Sequence, residues 1–178
     1  PLQLSPPGRF LRHVAALFVR KLDAEALLTL LKHPLTHSGA GRNFHQLYTQ
    51  RLEAEIRRHG LPYPDAESLV EIAERAAKRM EDPSGFRDWV AWLGETFPGH
   101  DAPGERPLPD CVAAHLALAE RIAAGQPADP DHLLWQHGAG IAAEAVMANL
   151  TEHAAHGGAM NAADYADLLG ALLSQEEV

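Results

Sequence analysis

Eleven histidines stand among 178 residues, enough to make metal ligation or proton transfer the first chemistry to test. Their spacing does not favour either. His33 and His37 are four apart, but Pro34 lies between them and breaks the helix that would align them. His153 and His156 precede Gly157-Gly158, where a helix would fray, and His132 and His137 are five apart and face different ways. There is no His-Glu-x-x-His, no Glu-x-x-His pair and no calcium-type acidic loop, so no metal site is expected. Ser38-Gly39-Ala40-Gly41-Arg42 lacks the Lys-Ser/Thr pair and preceding strand of a phosphate-cradling loop. Cys111, the one cysteine, falls at the start of a helical segment, where a thiol pKa can be lowered, yet no His and Asn partner it. Catalytic residues are therefore expected to be none.

Cationic clusters are the remaining chemistry. Arg9 and Arg12 share a helix face after the rigid Pro6-Pro7-Gly8 lead-in, and a helix start with two arginines suits phosphate oxygens. Arg20 with Lys21, and Arg51 with Arg57 and Arg58, form two more clusters. The same side chains are equally suited to ion pairs with acidic residues elsewhere, and no aromatic residues interleave for base stacking. The net charge of −9 divides unevenly: residues 1–60 hold nine Lys or Arg against four Asp or Glu, and residues 61–178 hold six against twenty. That is +5 against −14, which places any phosphate contact in the first third.

The elements that position these groups read as helices. Phe10, Val14, Leu17 and Phe18 form one stripe at helical spacing, as do Leu69, Ile72, Ala73, Ala76, Ala77 and Met80. So do Phe44, Leu47, Tyr48 and Leu52, and Tyr165, Leu168, Leu169, Leu172 and Leu173. Ala26–Leu31 is apolar all round apart from Thr29, which predicts a buried helix. Asn43 with Gln46, and Asn161 with Asp164, have capping-box spacing, and Pro64-Asp65 and Asp129-Pro130 read as helix starts. The two glycines of His137-Gly138-Ala139-Gly140 imply either close approach of another helix or a break. No stretch alternates in strand fashion.

The fold class expected is all-α, about eight helices in an irregular orthogonal bundle, near 8–21, 24–32, 43–59, 65–81, 84–96, 108–124, 131–155 and 161–174. A single domain over 1–178 is expected, with 97–109 as a long loop or hinge. One cysteine excludes an internal disulfide framework, and no apolar run is long enough to cross a bilayer. A start at Pro1 and an end at the charged Ser174–Val178 read as a piece of a longer protein.

Pro6-Pro7-Gly8-Arg9-Phe10-Leu11-Arg12 and Leu27-Leu28-Thr29-Leu30-Leu31-Lys32-His33-Pro34-Leu35 resemble the bacterial double-strand-break repair family AddB. Leu134-Trp135 running into Gly138-Ala139-Gly140, and the closing Ser174-Gln175-Glu176-Glu177-Val178, are similar to the same family in the same order. The resemblance implies a helical, 2B-type insertion of a superfamily-1 helicase-like region, in a cytoplasmic protein acting in recombination. It implies an AddA-type helicase–nuclease subunit and double-stranded DNA ends as partners, and no membrane. ATP, Mg and an iron–sulfur cluster are implied for the full complex, but no cofactor for this segment. Arg9, Arg12 and Lys32, on the matching positions in the basic part, are the DNA-backbone candidates. A protein–protein interaction module without DNA contact is the competing expectation.

Overall fold

A computed structural model describes residues 1–178. Eight α-helices follow in order: α1 (Pro6–Val19), α2 (Ala24–Lys32), α3 (Arg42–His59), α4 (Ala66–Ala77), α5 (Ser84–Thr96), α6 (Leu108–Ala124), α7 (His137–His153) and α8 (Ala162–Gln175). The fold is all-α. Its only extended pairing is a two-residue antiparallel ladder, β1 (Arg106–Pro107) with β2 (Ala159–Met160), which ties the end of the 97–109 segment to the α7–α8 connection.

The helices fall into two packed groups. In one, α1 lies against α6, α7 and α8; in the other, α3, α4 and α5 pack together, with α2 against α3. Contacts of α1 with α2 and of α5 with α6 join the groups. One continuous cluster of 38 buried apolar residues runs through both, including Phe10, Leu52, Trp89, Ile122 and Leu169. None of the helices is long and apolar enough to cross a membrane.

Local chemistry explains most boundaries. Asp23, Asp65 and Asn161 each accept a hydrogen bond from a first-turn N–H of α2, α4 and α8, and Asp65 completes a reciprocal capping box with Ser68. Pro34 stands just beyond α2, after the C-cap His33.

Five expectations are corrected. Asn43 is no cap: α3 begins a residue earlier, behind Gly41 and with no side-chain cap. The face of α3 that is buried is His45, Thr49, Leu52, Glu55 and Ile56, while Phe44 and Leu47 remain 65% and 43% exposed. Asp129-Pro130 starts no helix either. Asp129 accepts instead from Ala40 N–H at 2.8 Å and Asp131 N–H at 2.9 Å, and α7 begins only at His137. The backbone break expected around Gly138 is therefore a helix start. Gly140 is needed because a Cβ there would lie 2.7 Å from the Trp135 backbone, the close approach coming from the preceding turn rather than another helix. The Ala26–Leu31 stretch buries Leu27, Leu30 and Leu31 but leaves Thr29 exposed, so α2 has one buried face, not a whole buried surface.

Candidate nucleic-acid interface along the first two helices

The α1 start is tightly fixed. Ser5 caps it through Gly8 N–H at 3.3 Å, and a Cβ on Gly8 would lie 2.1 Å from the Leu2 carbonyl oxygen, so the N-terminal 3-10 turn (Leu2–Leu4) is pressed against it. Pro6 and Pro7 have no N–H, Gly8 N–H goes to Ser5 Oγ and Arg9 N–H to Ser5 O. No free backbone donor is left at this helix start. The phosphate contact expected from the helix end therefore falls on side chains alone.

Those side chains line a groove between α1 and α2. Pro6, Arg9, His13, Thr29, Lys32, His33 and Pro34 border an open depression of about 390 Å³, with no carboxylate among them. His13 and Thr29 also border a second depression further along the same two helices, which holds Arg20 and Lys21 together with Asp23 and Glu25. Of the three candidates, Arg9 and Lys32 are thus brought together. Arg12 is exposed but stands outside the groove lining. At about 100° per residue, Arg12 and His13 project to opposite sides of Arg9.

Hydrogen bonds orient the groove. Arg9 Nε donates to the Leu4 carbonyl at 3.0 Å, which holds the guanidinium while leaving its terminal nitrogens free. Lys32 Nζ pairs with Glu53 at 2.6 Å, a carboxylate also held by Arg57 at 2.7 Å. Lys32 is therefore partly neutralised. His33 Nδ1 accepts the Leu35 N–H at 3.2 Å, and its ring lies 5.2 Å from that of Phe10 and 6.3 Å from that of His13. Burial, and then the charges of His13, Arg9 and Arg42, push His33 down to about 4. Burial and the two arginines of α1 lower His13 as well. Both imidazoles are neutral at physiological pH.

The charge division predicted from the sequence is not cancelled by pairing. Lys32, Arg57 and Arg58 pair with Glu53 or Glu55, within residues 1–60, and Arg42 donates to the Thr36 carbonyl at 2.7 Å. Across the boundary at residue 60 only two pairs form, Pro1 amine with Glu177 and Arg79 with Glu55; neither neutralises a Lys or Arg of the basic part. Arg9, Arg12 and Arg20 make no ion pair, and Lys21 sits 4.9 Å from the centre of the Tyr63 ring.

The other histidines and the cysteine have structural surroundings. His37, with φ of 49°, is buried against Trp92 and His45 and reaches the Gln126 carbonyl at 3.0 Å. It clips the α2–α3 loop to the α6–α7 loop, so His33 and His37 serve different places. His45 accepts at Nδ1 from Trp89 Nε1–H at 3.1 Å and donates from Nε2 to Leu31 O at 2.7 Å. His115 does the same with Tyr165 O–H at 2.7 Å and Leu11 O at 2.9 Å. Cys111 is half-buried, and burial raises its thiol pKa, the reverse of the lowering a helix start suggests. What sequence reasoning missed is His13 and His33 as groove residues. His13 does fall on the Arg9 face by its i, i+4 spacing, but only the docking of α2 against α1 brings His33 to it.

No family model, curated protein or solved structure matches this chain.

Proposed function

We propose that this chain is a non-catalytic helical subdomain of an AddB-type helicase–nuclease subunit, contributing a scaffold and a DNA-backbone contact along α1 and α2. The observation that carries the DNA contact is the set of unpaired arginines. Arg9 and Arg12 are exposed and make no ion pair, although residues 61–178 carry a balance of −14. Isolated cations on an exposed helix face exchange counterions for phosphates, which gives affinity without sequence reading. Lys32, at the other wall of the groove, adds a charge already shared with Glu53. In the full complex with an AddA-type partner, Arg12→Ala is expected to weaken binding to DNA ends and to flatten the salt dependence by roughly one unit. An unchanged slope sinks the DNA contact.

A second reading has its own observation. Phe44 and Leu47 are 65% and 43% exposed on α3, three residues apart and therefore neighbours on the helix surface. A protein–protein interaction module without DNA contact would cover them with a partner. Hydrogen exchange of the complex with and without DNA separates the readings. Protection of α3 that ignores DNA supports the second, and DNA-dependent protection of α1 and α2 supports the first.

A further inference from the structure

Arg9, His13 and His33 form a more specific arrangement than a cationic surface. Arg9 is anchored through Nε to the Leu4 carbonyl, so both terminal nitrogens of its fork are available in one orientation. His33 is anchored through Nδ1, which accepts the Leu35 N–H, so in the neutral ring the proton sits on Nε2. That N–H has no acceptor in the protein, and its ring lines the groove. His13 makes no hydrogen bond and its ring meets that of His33 edge-on at 6.3 Å. Thr29 and Lys32 complete the wall, and no Asp or Glu lines it. Arg9, Lys32 and His33 supply donors to this wall, and no carboxylate lines it.

We infer that the depression bounded by Arg9, His13, Lys32 and His33 is a tetrahedral oxyanion site, taking one phosphate group between the arginine fork and His33 Nε2–H. This shares its location with the proposed DNA contact but does not depend on it, because a free phosphate offers the same oxygens. The inference also sets Arg9 apart from Arg12, which stands outside the lining and attracts anions only through its field.

Occupancy of such a site is coupled to protons. The charged and titratable groups around it are Arg9, Arg12 and His13 from α1, Lys32 from α2, His33 after it, and Arg42 and Glu53 from α3. Asp23 and Glu25 lie in the adjoining depression. His33 is held at about 4 by burial and these cations. An anion beside it offsets the neighbouring positive charge and raises it. Protonation also sets a hydrogen on Nδ1 against the Leu35 N–H, so the rise stops short of the ordinary 6.5 and affinity is tighter at pH 6 than at pH 8 by less than about fourfold.

Sulfate is the suitable first probe, because its own charge does not change between those pH values. Titrated into the 178-residue chain and followed by histidine and arginine side-chain NMR, it is expected to shift His33, His13 and Arg9 together, more tightly at pH 6. Arg9→Lys keeps the charge but removes the fork, and is expected to weaken sulfate at least fivefold. Lys78→Ala, which removes a whole charge from an exposed residue after α4, is expected to leave it unchanged. No shift at His33, or an equal loss in Lys78→Ala, overturns the site in favour of diffuse attraction. Inorganic phosphate and a short duplex then serve as competitors. Displacement by both makes the DNA backbone a source of the oxyanion. Displacement by phosphate alone keeps this site and removes the DNA contact; duplex binding with His33 unmoved keeps the DNA contact and removes this site.

Discussion

His45 and His115 sit inside two helix interfaces with both ring nitrogens bonded, whereas His33 in the α1/α2 groove has one nitrogen bonded and His13 has none. All four are held below the ordinary histidine range, with burial the first cause each time. The difference lies in partners. A carbonyl can only accept and an indole N–H can only donate, so His45 between Leu31 O and Trp89 Nε1–H has one tautomer and nothing left to offer a ligand. His33 has one fixed nitrogen and one open donor. Burial alone does not separate a structural histidine from a binding one; the count of unused donors does.

The strongest way to break this comparison is to remove an interior ring. His115 is fully buried, and His115→Phe leaves the Tyr165 hydroxyl without a partner and the Leu11 carbonyl with only its helix hydrogen bond. The buried orphan hydroxyl costs about 1–3 kcal/mol and the lost second bond to Leu11 about 1, so a loss of roughly 2–3 kcal/mol is expected in denaturant unfolding. His33→Gln, by the same measure, is expected to cost under about 1 kcal/mol. Equal losses would mean that the groove histidine is structural after all.

Acid tests the interior pair without mutation. His45 and His115 are both held at about 4, and the unfolded chain takes up the same protons near 6.5. Between those values the unfolded state binds more protons, so stability rises with pH. The contribution is complete above 6.5 and is lost as pH falls toward 4. The two together are expected to remove on the order of 2–3 kcal/mol between pH 7 and pH 5.5. His115→Phe should make that slope shallower by one proton, read from unfolding midpoints across the range.

The sequence made the helices legible where one face was apolar. The stripes of α1, α4 and α8 placed those elements within two residues at their starts. It misled where a buried face is polar. On α3 the interior residues include His45, Thr49 and Glu55, and the apolar Phe44 and Leu47 point outward, so a reading that equates apolar with inside turns the helix the wrong way. Glu55 is inside because Arg58, His59 and Arg79 surround it, at 3.6 Å for Arg58 and 3.4 Å for His59, and the partner on α4's far end cannot be read from α3. Asp129 misled for the same reason, its acceptor capacity being taken by Ala40, 89 positions away. In the groove, Arg9 and Lys32 were legible because charge type and segment are sequence properties. His33 was not, since its neighbour His13 and its fixed nitrogen both depend on how α2 docks on α1.

The smallest effect sharpens the comparison with a different residue type. Trp89 and Trp135 each donate an indole N–H, one to the buried His45 Nδ1 at 3.1 Å and the other to the exposed carboxylate of Glu120 at 3.3 Å. Phenylalanine removes the same donor from both. At Trp89, 1% exposed, water cannot replace it, so His45 Nδ1 is left unpaired at a cost of about 1–2 kcal/mol. At half-buried Trp135, Glu120 turns to water and the expected loss is under about 1 kcal/mol. Both substitutions also delete ring volume, and the cavity this leaves at buried Trp89 adds to the difference, which is therefore an upper bound on the cost of the orphaned acceptor. A difference near zero would show that His45 finds another donor, and the rule drawn from counting partners would then fail in the interior.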